Sequence, residues 1–218
     1  MIEWQNIDTV LLDMDGTLLD LAFDNFFWQQ YVPQQYARVR DIPDDQAHRL
    51  IHDWIDRHHG TLNWYCLDFW SGELGLDIAG LKRQVAERIG YREGAEDFLQ
   101  ALRDSGKRVV MVTNAHPAAL SLKVERTGID RFFDQLITSH GYGAAKEDQL
   151  FWQSLQQEMP FEKERAILVD DSLTVLESAK TYGIGHLWSI LHPDSSTAPR
   201  PHTEPFPAID QFAGVMPR

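Results

Sequence analysis

Four short polar clusters carry residue types that can do chemistry together: Asp13-Met14-Asp15-Gly16-Thr17, Thr113-Asn114, Lys146, and Asp170-Asp171-Ser172. Brought to one spot they would supply four carboxylates, a hydroxyl and an ammonium. Four carboxylates do not share a site without a cation, because neighbouring like charges raise each other's pKa. An oxygen-only ligand set with no His or Cys points to Mg2+, which keeps several waters and completes its shell from a substrate phosphate. Asp13, closing an apolar run, is then the natural nucleophile, since a carboxylate can form an aspartyl-phosphate and split a hard hydrolysis into two steps. Asp15, two residues on, can protonate the leaving oxygen and later activate water. Thr113 and the backbone amides around Asn114 can hold phosphoryl oxygens, and Lys146 supplies fixed positive charge. Asp170 and Asp171, with the Asp13 side chain, would hold the metal. Singly, each cluster has a plain reading: a turn, a helix-entry cap, a solvated lysine. The weight lies in the complete set, in this order along the chain.

The elements that must position these clusters are legible as apolar runs. Residues 9–13, 108–113, 135–139, 165–170 and 186–190 read as buried strands, three of them ending at a cluster. Continuous apolar runs of this kind suit a parallel sheet covered on both faces. Helical periodicity lies between them, in Phe98, Leu99 and Leu102, in Phe151, Leu155 and Met159, and in Val175, Leu176, Ala179 and Tyr182, with Gly183 as a stop. The class is α/β: a Rossmann-like, doubly wound parallel sheet, in which ligands bind outside the carboxyl ends of the strands. About ninety residues separate the first and second strands, far more than one crossover helix needs. They read as helical and hold Trp28, Trp54, Trp64 and Trp70, enough for a small core of their own. The expected division is a catalytic core of residues 1–18 and 89–192, an inserted helical cap at 19–88, and a proline-rich tail at 193–218 forming an irregular wrap or a loose end.

Composition narrows the partners. Thirty-three acidic against twenty basic side chains give a formal net charge of −13. Such a surface repels nucleic-acid polymers and anionic membranes but not a small anion drawn in by a metal. No run is long and apolar enough for a transmembrane helix. The first fifteen residues lack the positive charge a secretory signal needs. Cys66 stands alone and cannot form an internal disulfide, which fits a reducing, cytoplasmic setting.

Asp13-Met14-Asp15-Gly16-Thr17 resembles motif I of the haloacid dehalogenase-like (HAD) phosphohydrolases. Thr113, Lys146 and the Asp170-Asp171 pair resemble motifs II, III and IV. The resemblance implies a Rossmann-like core with a squiggle and flap after the first strand, a cap between motifs I and II, Mg2+ dependence, and the Asp15 backbone carbonyl as a further metal ligand. Many members carry another acid four residues after the second Asp of motif IV; here that position is Val175, leaving the adjacent pair to hold the metal. Residues 18–25, 62–68, 113–117 and 146–149 further resemble blocks of bacterial purine 5′-nucleotidases acting on GMP and IMP. That implies a small phosphomonoester substrate, a purine nucleoside monophosphate, with sugar phosphates or phosphoglycolate as alternatives. Within the cap, Asn63, Trp64 and Asp68 are the candidates for choosing among substrates.

Two rival readings share the fold. A 2-haloacid dehalogenase uses the same nucleophile, but it has no leaving alkoxide for Asp15 to protonate. A catalytically idle binding module would have no use for so many clustered charges. His52, Asp53 and Asp56, and His58-His59 beside Arg57, read as a solvated helix face and turn, and Cys66 as a small buried hydrophobe.

Overall fold

The computed structural model describes residues 2–217. Six parallel strands lie side by side in the order β3-β2-β1-β4-β5-β6: β1 (Thr9–Leu12), β2 (Arg108–Thr113), β3 (Gln135–Thr138), β4 (Ala166–Asp170), β5 (His186–Ile190) and β6 (Ala208–Ile209). The expected Rossmann-like sheet is therefore present. Its side chains alternate between two cores, as a period of two requires. Val10, Leu12, Val109, Met111, Ile167 and Val169 face one layer with Phe98, Leu99 and Leu102. Leu11, Val110, Val112, Ala166 and Leu168 face the other with Phe151, Trp152 and Leu176. Leu12 pairs with Met111 on one side and Val169 on the other, so β1, β2 and β4 end within two residues of one another. That register is what delivers the polar clusters to one edge.

Between β1 and the helix that leads into β2, the chain builds six α-helices: α1 (Ala22–Phe26), α2 (Val32–Arg40), α3 (Asp44–His58), α4 (Leu62–Tyr65), α5 (Leu67–Leu74) and α6 (Ile78–Gln84). They enclose their own core, with Phe23, Phe27, Tyr36, Ile51, Trp70, Leu74 and Ile78 buried. A π-turn at Phe27–Tyr31 joins α1 to α2. Its cause is Pro33, which has no N–H to bond the Gln29 carbonyl and whose ring crowds it, so the helix widens. The chain also breaks at Cys66, whose extended backbone separates α4 from α5. Trp64 and Trp70 thus lie on two helices rather than one. Trp70 is buried in the cap core and donates from Nε1 to the Trp64 carbonyl at 2.9 Å.

The remaining helices, α7 (Ala95–Asp104), α8 (Pro117–Thr127), α9 (Gln149–Glu158) and α10 (Leu173–Tyr182), are the crossovers of the sheet. After β1 the chain folds back on itself, with Leu19 N donating to Met14 O (2.9 Å) and Gly16 N to Leu19 O (2.8 Å). Leu19 then bridges to Tyr91, and Arg92 N donates to Leu18 O at 2.9 Å. The tail is more than the irregular wrap or loose end expected. Residues 208–209 add the sixth strand beside Ser189 and Ile190. Phe212 is 1% exposed and stacks on Phe98 with ring centroids 4.8 Å apart, while Trp4 Nε1 donates to Val215 O. The prolines masked a strand too short for periodicity to reveal. Among the described residues, no helix is long and apolar enough to cross a membrane.

Truncating Phe212 leaves a cavity beneath α7. Phe212→Ala should cost about 3–5 kcal/mol. At roughly 2–4 °C per kcal/mol for a chain of this size, thermal denaturation should show a fall of some ~6–20 °C. An unchanged melting temperature would mean that the tail does not brace the core.

Candidate active site

The strand ends converge as the sequence requires. Asp13 is the first residue beyond β1 rather than its last, but its amide still donates to Val169 O at 3.0 Å, so β4 fixes its position. Lys146, on the loop before α9, lies between two strand ends. Its Nζ donates to Asp13 Oδ1 at 2.5 Å, to Asp170 Oδ2 at 2.7 Å and to Val112 O at 3.1 Å. Lys146 and Asp170 are each 1% exposed and Asp13 5%. Burial works against the Lys146 ammonium, yet the two carboxylates more than offset it and hold its pKa above the ordinary lysine range. Burial raises the Asp13 carboxyl to about 6 even against the pull of Lys146.

Asp171 completes a cluster with Asp13 and Asp170, in which one carboxylate oxygen from each lies within 4.8 Å of the other two. One ammonium serves two of the three carboxylates. Asp171 instead meets Arg200 of the tail, 3.3 Å from its Oδ2, and Arg200 also donates to the Asp171 carbonyl. Burial, then the charges of Asp13 and Asp170, push the Asp171 carboxyl well above its ordinary range. The cluster is short of positive charge, and its oxygen donors fit a hard dication. Gly16 makes room for it. A Cβ there, at φ +81°, would lie 2.7 Å from Asp171 Cγ, so the loop after β1 approaches Asp171 only without a side chain.

Thr113 and Asn114 follow β2 into α8. The Thr113 hydroxyl oxygen accepts from Ala115 N at 3.0 Å. The Asn114 side chain is engaged at both ends: Oδ1 accepts from Lys146 N (2.9 Å) and Nδ2 donates to Glu147 Oε2 (3.0 Å). Asn114 therefore positions the Lys146 loop, leaving its backbone as the part that can meet a phosphoryl group.

A second set of buried charges, unforeseen in the sequence, stands behind Asp15. Lys123 of α8 lies 2.6 Å from Asp15 Oδ1 and 2.6 Å from Asp24 Oδ2, and Lys82 of the cap pairs with the other Asp24 oxygen. Both lysines and the two carboxylates join the cap to the core through Asp24 of α1. Burial opposes the charged form of Asp24, but Lys123 and Lys82 hold its carboxyl well below the usual carboxylate range. Burial raises Asp15 to about 6, with Lys123 pulling the other way. Asp15 thus takes up its proton at a higher pH than an ordinary aspartate. One signal for Lys123 was available: it falls beside Leu122 on the helix face that Ala119 buries.

The cap residue that reaches the site is Tyr65, whose hydroxyl donates to Glu147 Oε1 at 2.6 Å. Burial, then the Glu147 charge, push its pKa well above 10.0. Trp64 is half-buried, its ring 4.7 Å from Tyr65 and 4.6 Å from His59. Asn63 and Asp68 are exposed, and Asp68 Oδ2 lies 3.5 Å from His116 Nε2. His52, Asp53 and Asp56 are exposed on α3. His58 packs edge-on against Phe69 and Trp70. Cys66 is half-buried rather than buried, and its Sγ accepts from Phe69 N at 3.4 Å as the N-cap of α5.

A parallel sheet with a carboxylate after its first strand, a buried lysine and an acidic pair after the fourth defines a hydrolase of the haloacid dehalogenase-like class. The family model for haloacid dehalogenase-like hydrolases matches residues 7–183, and the chain belongs to that family. It is 40% identical to a GMP/IMP nucleotidase of Escherichia coli over 216 residues, spanning 99% of this chain and 97% of the relative. A pyrimidine 5′-nucleotidase of the same organism is 27% identical over 76% of this chain and 77% of its own. Among solved structures, a HAD phosphatase from Thermococcus onnurineus superposes with a TM-score of 0.78 at 22% identity, covering 96% of each chain.

Removing Lys123 would leave Asp15 and Asp24 short of a buried partner. Lys123→Met should destabilise the protein by about 3–5 kcal/mol, measured by urea denaturation at pH 7. The same measurement at pH 5 should show a smaller loss, because protonation neutralises the stranded carboxylates there. A loss below ~1 kcal/mol, the range of an exposed pair, would mean that the network does not tie cap to core.

Proposed function

We propose that the protein is a Mg2+-dependent phosphomonoesterase working through an aspartyl-phosphate, and that its substrates are purine 5′-monophosphates, GMP and IMP. The observation that carries the chemistry is Asp13: a buried carboxylate, fixed by Lys146 at 2.5 Å, inside a cluster of three carboxylates. The purine assignment rests on the likeness to the GMP/IMP nucleotidase. The single Cys66 favours a cytoplasmic setting.

Asp13, Asp170, Asp171 and the Asp15 carbonyl would hold the ion, which neutralises phosphoryl oxygens when bound. Asp13 attacks phosphorus along the line of the leaving oxygen. Lys146 holds Asp13 in that orientation and balances the charge that moves onto the phosphoryl group. Asp15, raised to about 6, gives its proton to the leaving alkoxide and then takes one from the water that cleaves the acyl phosphate. Thr113 and the amides after it receive the phosphoryl oxygens. Every phosphomonoester shares that group, so choice among them falls to the cap. Trp64 offers the base an aromatic face, with Asn63 and Asp68 as polar partners for the six-oxo group and protonated N1 that guanine and hypoxanthine share. Adenine reverses that pattern, and a polar group left mismatched once the base covers it costs about 1–3 kcal/mol.

A phosphate-release panel over nucleoside monophosphates, sugar phosphates and phosphoglycolate tests both parts. GMP and IMP should exceed AMP and the pyrimidine monophosphates in kcat/KM by roughly tenfold or more, and Asp13→Asn should abolish turnover of all. Phosphoglycolate or AMP as the better substrate would end the purine assignment, and activity retained by Asp13→Asn would end the covalent route.

The metal reading has its own thermal signature. Burial raises Asp13 and Asp15 from 3.8 to about 6, so the native state holds protons that the unfolded chain releases. Stability from this source is complete below pH 3.8 and is lost as pH rises through about 6. Mg2+ relieves the repulsion of ionised carboxylates in the native state alone. It should therefore raise the melting temperature at pH 8 more than at pH 5, and by less in Asp171→Asn. An equal rise in wild type and variant would place the ion elsewhere.

A further inference from the structure

A second cluster of metal-ligating side chains lies at the seam between cap and core, apart from the carboxylates. Cys66 occupies the break between α4 and α5, His116 precedes α8, and His140 lies in the short turn after β3. Three elements distant in sequence thus bring a thiol and two imidazoles together. One ligand atom from each lies within 4.8 Å of the others. The two imidazole rings meet nearly at right angles, 83°, with centroids 5.0 Å apart.

The groups have few and long contacts with other partners. His140 Nε2 is buried and has no hydrogen-bond partner among the described residues, an expense a protein rarely leaves without purpose. The contacts of His116 are long: Nδ1 accepts from Ala118 N at 3.3 Å and Nε2 lies 3.5 Å from Asp68 Oδ2. A carboxylate beside the imidazole is the usual means of orienting a zinc-ligating histidine. Cys66 Sγ has the single 3.4 Å contact from Phe69 N.

We propose that Cys66, His116 and His140 form a binding site for a borderline-soft divalent ion of the zinc class, which crosslinks the cap to the core. One thiolate and two imidazoles suit Zn2+ and not Mg2+. Tetrahedral zinc with bonds of about 2.0–2.3 Å sets its ligand atoms roughly 3.4–3.6 Å apart, so the cluster needs to contract by little more than ~1 Å. Three protein ligands leave the fourth position to water. Because Cys66 belongs to the cap while His116 and His140 belong to the core, occupancy holds the cap against the catalytic face. Zinc would thereby slow the exchange of substrate and product.

Metal-stripped protein is titrated with Zn2+ against a chromophoric chelator, with millimolar Mg2+ present to fill the carboxylate cluster. Wild type should bind one zinc per chain, and Cys66→Ser and His140→Ala should each bind it at least about tenfold more weakly. Serine retains an oxygen to accept the Phe69 N–H, and melting curves without zinc verify that both variants fold. Co2+ in place of zinc should give wild type a thiolate-to-cobalt charge-transfer band that Cys66→Ser lacks. Equal zinc affinity in all three proteins, or a cobalt spectrum without the thiolate band, overturns the site. A second arm rests on the phosphatase reading and fails separately from the first. Stoichiometric zinc should slow p-nitrophenyl phosphate hydrolysis by wild type several-fold and leave Cys66→Ser unaffected. Bound zinc with unchanged wild-type turnover overturns the crosslinking of cap to core.

Discussion

An ammonium buried between Asp13 and Asp170 orders everything else at the carboxyl edge of the sheet. Breaking such a pair from one side strands a charge in a low-dielectric interior, at a cost of about 3–5 kcal/mol. The surroundings are built to keep it whole. Asn114 holds the Lys146 amide, Val112 accepts a third bond from the ammonium, and Trp152 Nε1 donates to the Lys146 carbonyl at 2.9 Å. The neighbouring ends of β1, β2 and β4 bring these groups within reach. Lys146 thus sets the direction of Asp13 before any substrate arrives.

The same constraint leaves Asp171 exposed to two like charges, and the molecule answers it from an unexpected quarter. Arg200 comes from the proline-rich tail, which β6 and Phe212 anchor to the core. A second buried charge set, Lys123 and Lys82 around Asp24 and Asp15, repeats the design between cap and core. Asp24 is held ionised while Asp15 is raised to about 6. The two carboxylates share Lys123, but Asp24 alone also has Lys82, so the pull toward the ionised form is stronger on Asp24. Through these lysines Asp15 and Asp24 of α1 share one network of charge.

Much of this was legible in the sequence because the strands are continuous apolar runs that end in polar clusters. The five runs became β1 to β5, with ends shifted by a residue at most, and the clusters of Asp13, Thr113, Lys146 and Asp170 met at one edge. What was not legible has physical causes. Lys123 reads as a surface lysine, because pattern alone does not tell a charge buried with partners from a solvated one. Its partners lie 99 and 108 residues away, a pairing that helical periodicity does not encode. Tyr65 and Arg200 reach the site through long side chains from the cap and the tail, where topology and not local sequence decides direction. Strand β6 has two residues, fewer than an alternating pattern needs. The break at Cys66, inside a segment that reads as helical throughout, separates α4 from α5, and Tyr65, beside the Trp64 favoured from sequence, reaches Glu147.

The central claim is that Asp13 becomes covalently attached to the transferred phosphoryl group. The stereochemical course at phosphorus tests it most directly, using a thiophosphate monoester made chiral with oxygen isotopes and hydrolysed in isotopically labelled water. Two successive in-line displacements, first by Asp13 and then by water, predict net retention of configuration. Net inversion would require a single displacement by water and would contradict the account.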